Sequence, residues 1–284
     1  MTAIANTAQF TYWNEVAGPK WVRLSDAMEV RLQNVNARLL AGAGLRARET
    51  VLEIGCGTGA ATLPIAAAIG PQGHVTGLDI SAPMLAVARS RLATQGISNV
   101  TLVHGDAQAH RLAAQHFDLV ISRFGVMFFA DPVAAFTNLI GALRPGGRLC
   151  FVCWASLDEN PYWKIPLDVV IARLGPPAPK PPHAPGPMAF SDVGYVRGIL
   201  ERAGFQQIAI KQESIALIGT NPDEEARYAC IMGPSANLLE EREASDATRE
   251  AIAEEMATAF ASFVSERGML MPATIYVVTA FRPH

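Results

Sequence analysis

The stretch Val51-Leu-Glu-Ile-Gly-Cys-Gly-Thr-Gly59 sets the reading of the whole chain. Val51 to Ile54 is a short apolar run suited to a buried strand. Glycines at 55, 57 and 59 let the backbone turn tightly and pass close to a ligand without side-chain obstruction. The Ala-rich stretch from Ala60 to Ile69 then reads as a helix, whose unpaired N-terminal N–H groups suit a carboxylate. Strand, glycine loop and helix in that order predict the first unit of an open α/β sheet with its ligand at the carboxyl edge.

Outward from this unit the alternation continues. His74 to Asp79 predicts a second strand, and Ser81 caps a helix that stops at Gly96. Val100 to His104 predicts a third, ending at Gly105-Asp106-Ala107. Phe117 to Ser122 predicts a fourth, followed by Asp131-Pro132, an N-cap with proline at the first helical position. The turn Leu143-Arg-Pro-Gly-Gly147 leads into a fifth strand ending at Trp154. Strands alternating with helices imply a parallel sheet with right-handed crossovers. Upstream, Trp21, Leu24, Met28, Leu32, Val35 and Leu39 recur at spacings of three and four, one apolar stripe of an amphipathic helix.

Downstream the alternation breaks. Residues 160–174 can be helical, and Pro176 to Pro187 holds seven prolines in twelve residues, an extended segment that cannot be core sheet. Ser191 and Asp192 cap another helix, residues 206–218 read as a strand, 222–266 as helical and acidic, and 274–281 as a last strand. The expected fold is α/β: a Rossmann-like, doubly wound, mostly parallel seven-stranded sheet with helical N-terminal and post-strand-five cap elements. As one domain it divides into an N-terminal cover (1–44), a ligand-binding core (45–155), a cap insertion (156–190) and a C-terminal completion of the sheet with a helical insertion (191–284).

Half of the 284 residues are hydrophobic and 17% are charged, which predicts a sizeable packed core rather than disorder. A net charge of -3 speaks against a general nucleic-acid binder. Met1 to Phe10 shows no basic residue and no apolar core of a signal peptide, and no apolar run nears the ~20 residues of a membrane span. A cytoplasmic location is expected. Cys150 and Cys153 have the spacing of a CxxC but sit in a strand, where residues three apart point to opposite faces and cannot grip one metal. No metal site is expected.

The glycine loop alone also fits the looser GxGxxG/A form of dinucleotide sites. Glu53, two residues before the first glycine, separates the readings if its carboxylate faces the ligand. It would repel a pyrophosphate but favour the ammonium and sulfonium of S-adenosylmethionine. Asp79 ends the next strand, where a carboxylate can accept both ribose hydroxyls.

At these residues the chain resembles the class I S-adenosylmethionine-dependent methyltransferases, well over residues 45–155 and loosely elsewhere. The resemblance implies S-adenosylmethionine as cofactor and S-adenosylhomocysteine as product. Glu53, Gly55, Gly57 and Gly59 match the family's glycine loop, and Asp79, with Ile80 beside it, the ribose-binding acid. Asp106-Ala107 matches the pair at the adenine. Phe117 to Ser122 matches the strand leading to the reaction centre, which makes Ser122 a cofactor contact, and Leu143 to Arg148 the turn before the fifth strand. Within the family the chain is similar to the small-molecule branch that includes the ubiquinone and menaquinone C-methyltransferases, so a small-molecule acceptor is implied.

After the fourth strand the chain departs from that pattern. Many relatives carry histidines there; this chain has Arg123-Phe-Gly-Val-Met-Phe-Phe129. Arg123 can anchor a carboxylate or phosphate of the substrate, or form a structural ion pair with Asp118 or Asp131. Tyr12 is a second candidate, as a base or for orienting the methionyl part. His104, His110 and His116 are weaker ones. Trp154, Tyr162 and Trp163 are candidate walls of an acceptor pocket or, equally, cap-to-core packing. Asn160-Pro-Tyr-Trp163 resembles the [DN]PP[YF] motif of amino-methyltransferases, but it lacks the second proline and follows the wrong strand. Among N, S, O and activated-C acceptors, the missing histidines favour N, S or activated C, which can react without a base, or else a base delivered by the cap. The alternatives are a nicotinamide-dependent dehydrogenase using the same loop and a non-catalytic cofactor-binding scaffold.

Overall fold

The structure is a computed structural model and describes residues 6–284. Residues 1–5, part of the segment read as carrying no leader, lie outside the described residues. The N-terminal stripe does not form one helix. It is cut into α1 (Thr7–Thr11), a π-helical turn (Tyr12–Val16), α2 (Ala17–Arg23), α3 (Ser25–Arg31) and α4 (Gln33–Ala43). The breaks fall at Leu24 and Leu32, which leave helical φ/ψ, so the apolar face bends round the sheet edge. Met28, Leu32, Val35 and Leu39 are still buried, as the stripe predicts.

The core follows as β1 (Thr50–Ile54), α5 (Thr62–Ile69), β2 (His74–Asp79), α6 (Ala82–Thr94), β3 (Val100–His104), β4 (Phe117–Arg123), α7 (Pro132–Ala142) and β5 (Leu143–Trp154). Ser81 and Asp131 cap α6 and α7 as their positions suggest, accepting from the N–H groups of Met84 and Ala134. The turn expected at 143–147 is instead the irregular start of β5: Phe117 pairs with Leu143, the register shifts, and Leu119 pairs with Arg148. Then come α8 (Pro161–Leu174), α9 (Val193–Arg202), β6 (Gln206–Gly219), α10 (Pro222–Ala229), α11 (Gly233–Glu241), α12 (Asp246–Phe260), β7 (Val264–Ser265) and β8 (Gly268–Phe281). Asp192 alone caps α9; the Ser191 hydroxyl bonds back to Met188.

The sheet order is β3-β2-β1-β4-β5-β8-β6, parallel except for β8, which runs antiparallel to both neighbours. The two-residue β7, which folds back on β8, makes an eighth strand. Central strands are buried on both faces, which is why they read as continuous apolar runs. α4 covers one face of β4, β5 and β8, while α7 and α9 cover the other. Cys150 and Cys153 sit on these opposite faces, their thiols towards the carbonyls of Leu39 and Phe190. No described helix is long and apolar enough to cross a membrane.

Candidate functional site

The strand order reverses between β1 and β4, and ligands of open α/β sheets bind in the crevice at that point. The loop after β1 lies there. Gly55 and Gly57 hold φ of +67° and +54°, which an L side chain rarely adopts. A Cβ on Gly55 would stand 2.7 Å from the Cα of Gly125, in the loop after β4. Two backbones therefore touch across the switch point. Asp79 fastens the loop from the next strand: its carboxylate accepts the N–H of Gly57 at 2.7 Å and of Ser81 at 2.8 Å. Burial raises its pKa, opposed by these hydrogen bonds.

At the end of β3, Asp106 accepts the N–H of Gln108 and, at 3.0 Å, the N–H of Asn6. The N-terminal segment is thus strapped over the acid expected at the adenine. Asn14 holds the strap further along, donating to the carbonyls of Phe10 and Ile80 and accepting from the N–H of Ala82. Asp79, Ile80, Asp106 and Ala107 all line one cleft together with the glycine loop. Each carboxylate oxygen retains lone-pair capacity for a further donor, so these residues fit a ligand that presents hydroxyls at β2 and an amine at β3.

Three residues expected at the cofactor do not line the cleft. Gly59 packs against α6 instead, where an added Cβ would stand 3.4 Å from the Ala88 Cβ. Glu53 does not line the cleft. Strand alternation turns it under the loop, where it is 1% exposed and accepts the Thr62 hydroxyl at 2.6 Å. Its use in telling a sulfonium from a pyrophosphate by direct contact therefore fails. Ser122 is fully buried and stitches the seam instead, donating to the carbonyl of Ile54 and accepting the N–H of Gly125.

Burial raises the Glu53 pKa from 4.5 to about 7, against the Thr62 hydrogen bond and the Arg123 charge. Between those values the folded protein keeps a proton that the unfolded chain has lost, so stability falls as pH rises through this window. Glu53→Gln, which mimics the protonated form, is expected to gain on the parent between pH 5 and pH 8. The gain has a ceiling of about 3 kcal/mol. Urea midpoints at the two pH values measure it, and a gap independent of pH would show that Glu53 titrates normally.

The far end of the cleft is aromatic. Phe124, a non-glycine residue at φ +65°, stacks flat on Trp154 with centroids 4.4 Å apart. Trp163 meets Trp154 edge-on at 5.7 Å, and Tyr162 packs against Trp163. Trp154, Tyr162 and Trp163 all line the cleft and are all buried, so wall and packing are one role here. The indole N–H of Trp163 has no partner among the described residues. Asn160, by contrast, is a core pin: its amide donates to the carbonyls of Ala155, Ser156 and Thr274 and accepts the N–H of Thr274. The resemblance of Asn160 to Trp163 to an amino-methyltransferase motif is therefore coincidental.

Arg123 lines the cleft and forms neither of the ion pairs considered from sequence, since Asp118 binds Arg144 and Asp131 caps α7. Tyr12 also lines the cleft, but burial, then the Glu240 carboxylate, raise the pKa of its phenol, which makes it a poorer base near neutrality. His104, His110 and His116 stand outside the lining.

Sequence reasoning missed the strap residues Asn6 and Asn14 and the contribution of Met232, Gly233 and Asn237 at the start of α11. Gly233-Pro234 was the available signal, a turn opening a helix. A Cβ on Gly233 would meet the Trp163 ring at 2.2 Å.

Residues 51–147 match the methyltransferase-domain family. Aklanonic acid methyltransferase DauC of Streptomyces sp. strain C5 is 40% identical over 103 residues, 36% of this chain and 47% of that enzyme. Demethylmenaquinone methyltransferase of Listeria monocytogenes is 37% identical over 114 residues, 40% of this chain and 48% of that enzyme. The chain thus spans about half the length of the curated relatives it matches. Among solved structures, the YcgJ protein of Bacillus subtilis superposes with a TM-score of 0.56 at 16% identity, over 88% of this chain and 98% of that one. Phosphoethanolamine N-methyltransferase 2 of Haemonchus contortus, in complex with S-adenosyl-L-methionine, does so with a TM-score of 0.55 at 18% identity, over 88% and 52%. Residues 51–147 are thus similar to a methyltransferase domain, and the chain shares its Rossmann-like fold with these solved structures.

Proposed function

We propose that the cleft binds S-adenosylmethionine and that the protein moves its methyl group to a small-molecule acceptor. One observation carries the reading: Asp79 and Asp106, at the carboxyl ends of adjacent strands, line the same cleft as the glycine loop, and an aromatic chamber continues from it. The names of the relatives support the reaction class. In this reading Asp79 takes the ribose hydroxyls, Asp106 and Ala107 flank the adenine, and Gly55 and Gly57 leave the backbone bare against the cofactor.

Bound there, the cofactor supplies an electrophilic methyl on a sulfonium, and transfer is an in-line displacement that disperses positive charge. The protein's share is alignment and exclusion of water. Phe124, Trp154 and Trp163 offer flat apolar surfaces against which an acceptor can be held. The strap from Asn6 to Val16 and the cap residues 156–190 close the chamber from two sides, with Trp13 edge-on to Phe128 at 5.0 Å. No side chain in the chamber is assigned as a base.

Calorimetry tests the reading. The protein is expected to bind S-adenosylhomocysteine and not NADH; tighter binding of NADH would replace it with the nicotinamide alternative. Screening acceptor pools for S-adenosylhomocysteine release then identifies the acceptor.

A further inference from the structure

Every half-buried or buried arginine and lysine among the described residues meets an ion-pair or hydrogen-bond partner, with one exception. Lys20, at the cleft, meets Glu240. Elsewhere Arg31 meets Glu225, Arg91 meets Asp26 and Glu29, and Arg148 meets Glu49. Arg123 is half-buried in the cleft wall and makes no side-chain hydrogen bond or ion pair among the described residues. A guanidinium does not shed its proton, and a charge removed from water without a hydrogen-bond partner is costly.

The carboxylate that strand register brings nearest does not serve it. Glu53 pairs with Ile121, and Arg123 lies two residues further along β4, so both side chains leave the same face of the sheet. Glu53 nevertheless takes its hydrogen bond from Thr62. It supports the Arg123 charge through space while burial opposes it. On the other side Arg123 pairs with Val152, and Trp154, two residues on, leaves that same face. The guanidinium therefore stands between the glycine-loop end of the cleft and the slab formed by Phe124, Trp154 and Trp163.

We propose that Arg123 is the carboxylate anchor of the cleft. Its planar fork of donors matches a carboxylate in two parallel hydrogen bonds, and the structure leaves that fork open to the space where ligands sit. The carboxylate belongs either to the methionyl part of the cofactor or to a planar aromatic acid lying on the Phe124–Trp154 slab. The proposal rests on the cofactor assignment made above.

Four probes separate the sources: S-adenosylhomocysteine, 5′-methylthioadenosine (which lacks the amino-acid part), anthraquinone-2-carboxylate and its carboxamide. Failure of the parent protein to bind S-adenosylhomocysteine would sink the cofactor assignment before any variant is made. Granted that binding, Arg123→Gln is expected to weaken one carboxylate selectively, by about tenfold or more, the size of a lost charge-assisted hydrogen bond. Arg123→Lys should retain part of it. Loss for S-adenosylhomocysteine with 5′-methylthioadenosine unchanged identifies the cofactor's carboxylate. Both nucleosides unchanged, with the preference for the aromatic acid over its amide abolished, identifies the acceptor's. Unchanged affinities for all four probes, or equal losses with and without a carboxylate, overturn the proposal.

Discussion

Glu225→Ala is expected to destabilise the fold by about 3–5 kcal/mol, the usual cost of leaving one member of a buried ion pair uncompensated. Glu225 and Arg31 are 0% and 1% exposed at their side chains. They are joined by two hydrogen bonds, one from Arg31 Nε at 3.0 Å, and Glu225 also accepts the N–H of Thr220. The guanidinium lies over the Tyr228 ring at 4.6 Å and near the Tyr162 ring at 5.8 Å. One pair thus locks α3, α8 and α10 together behind the aromatic chamber. Urea unfolding reads the loss. The double variant Arg31→Met with Glu225→Leu should recover most of it, because apolar residues of similar volume carry no stranded charge. If both variants unfold at the same urea concentration, the pair is not what holds the cap.

Asp79→Ala should weaken S-adenosylhomocysteine by about 1–3 kcal/mol through lost hydrogen bonds to the ribose hydroxyls. The loop itself suffers as well, because the N–H groups of Gly57 and Ser81 lose their acceptor. Asp79→Asn retains one carbonyl acceptor and should fall between the parent and the alanine variant. Calorimetry measures the affinity, and circular dichroism separates it from unfolding. Unchanged affinity in a folded Asp79→Ala protein would mean that the ribose lies elsewhere.

The parts of this protein legible from sequence are those whose signal is local. Glycines at fixed offsets after an apolar run, Ser81 and Asp131 before helices, and Gly96 after one each report a backbone requirement that no distant partner can alter. They led to the sheet that the structure contains. Other features depend on what a side chain meets. Glu53 reads as a ligand contact from its position, yet strand alternation turns it onto Thr62. Ser122 reads as a cofactor contact, yet it holds the seam at Gly125. The breaks at Leu24 and Leu32 have no glycine or proline to announce them. An N-terminal cover over residues 1–44 was legible, but not what fastens it, because Asn14 draws its partners from Ile80 and Ala82, across the chain.

The contact between Gly55 and Gly125 bears on how enzymes of this shape diversify. A Cβ on Gly125 would come within 2.7 Å of the Ile54 carbonyl and 2.9 Å of the Gly55 Cα, so neither position tolerates growth. The distance from the glycine loop to Arg123 and Phe124 is consequently set by bare main chain, and side-chain substitution can hardly adjust it. Trp163 and the start of α11, which face the same chamber from outside the sheet, are under no such restriction apart from their own contact at Gly233. A lineage descended from this chain could therefore reshape the chamber by rewriting Trp163 and the lining residues Ile231, Met232 and Asn237, while the bare backbone at Gly55 and Gly125 passed unchanged from ancestor to descendant.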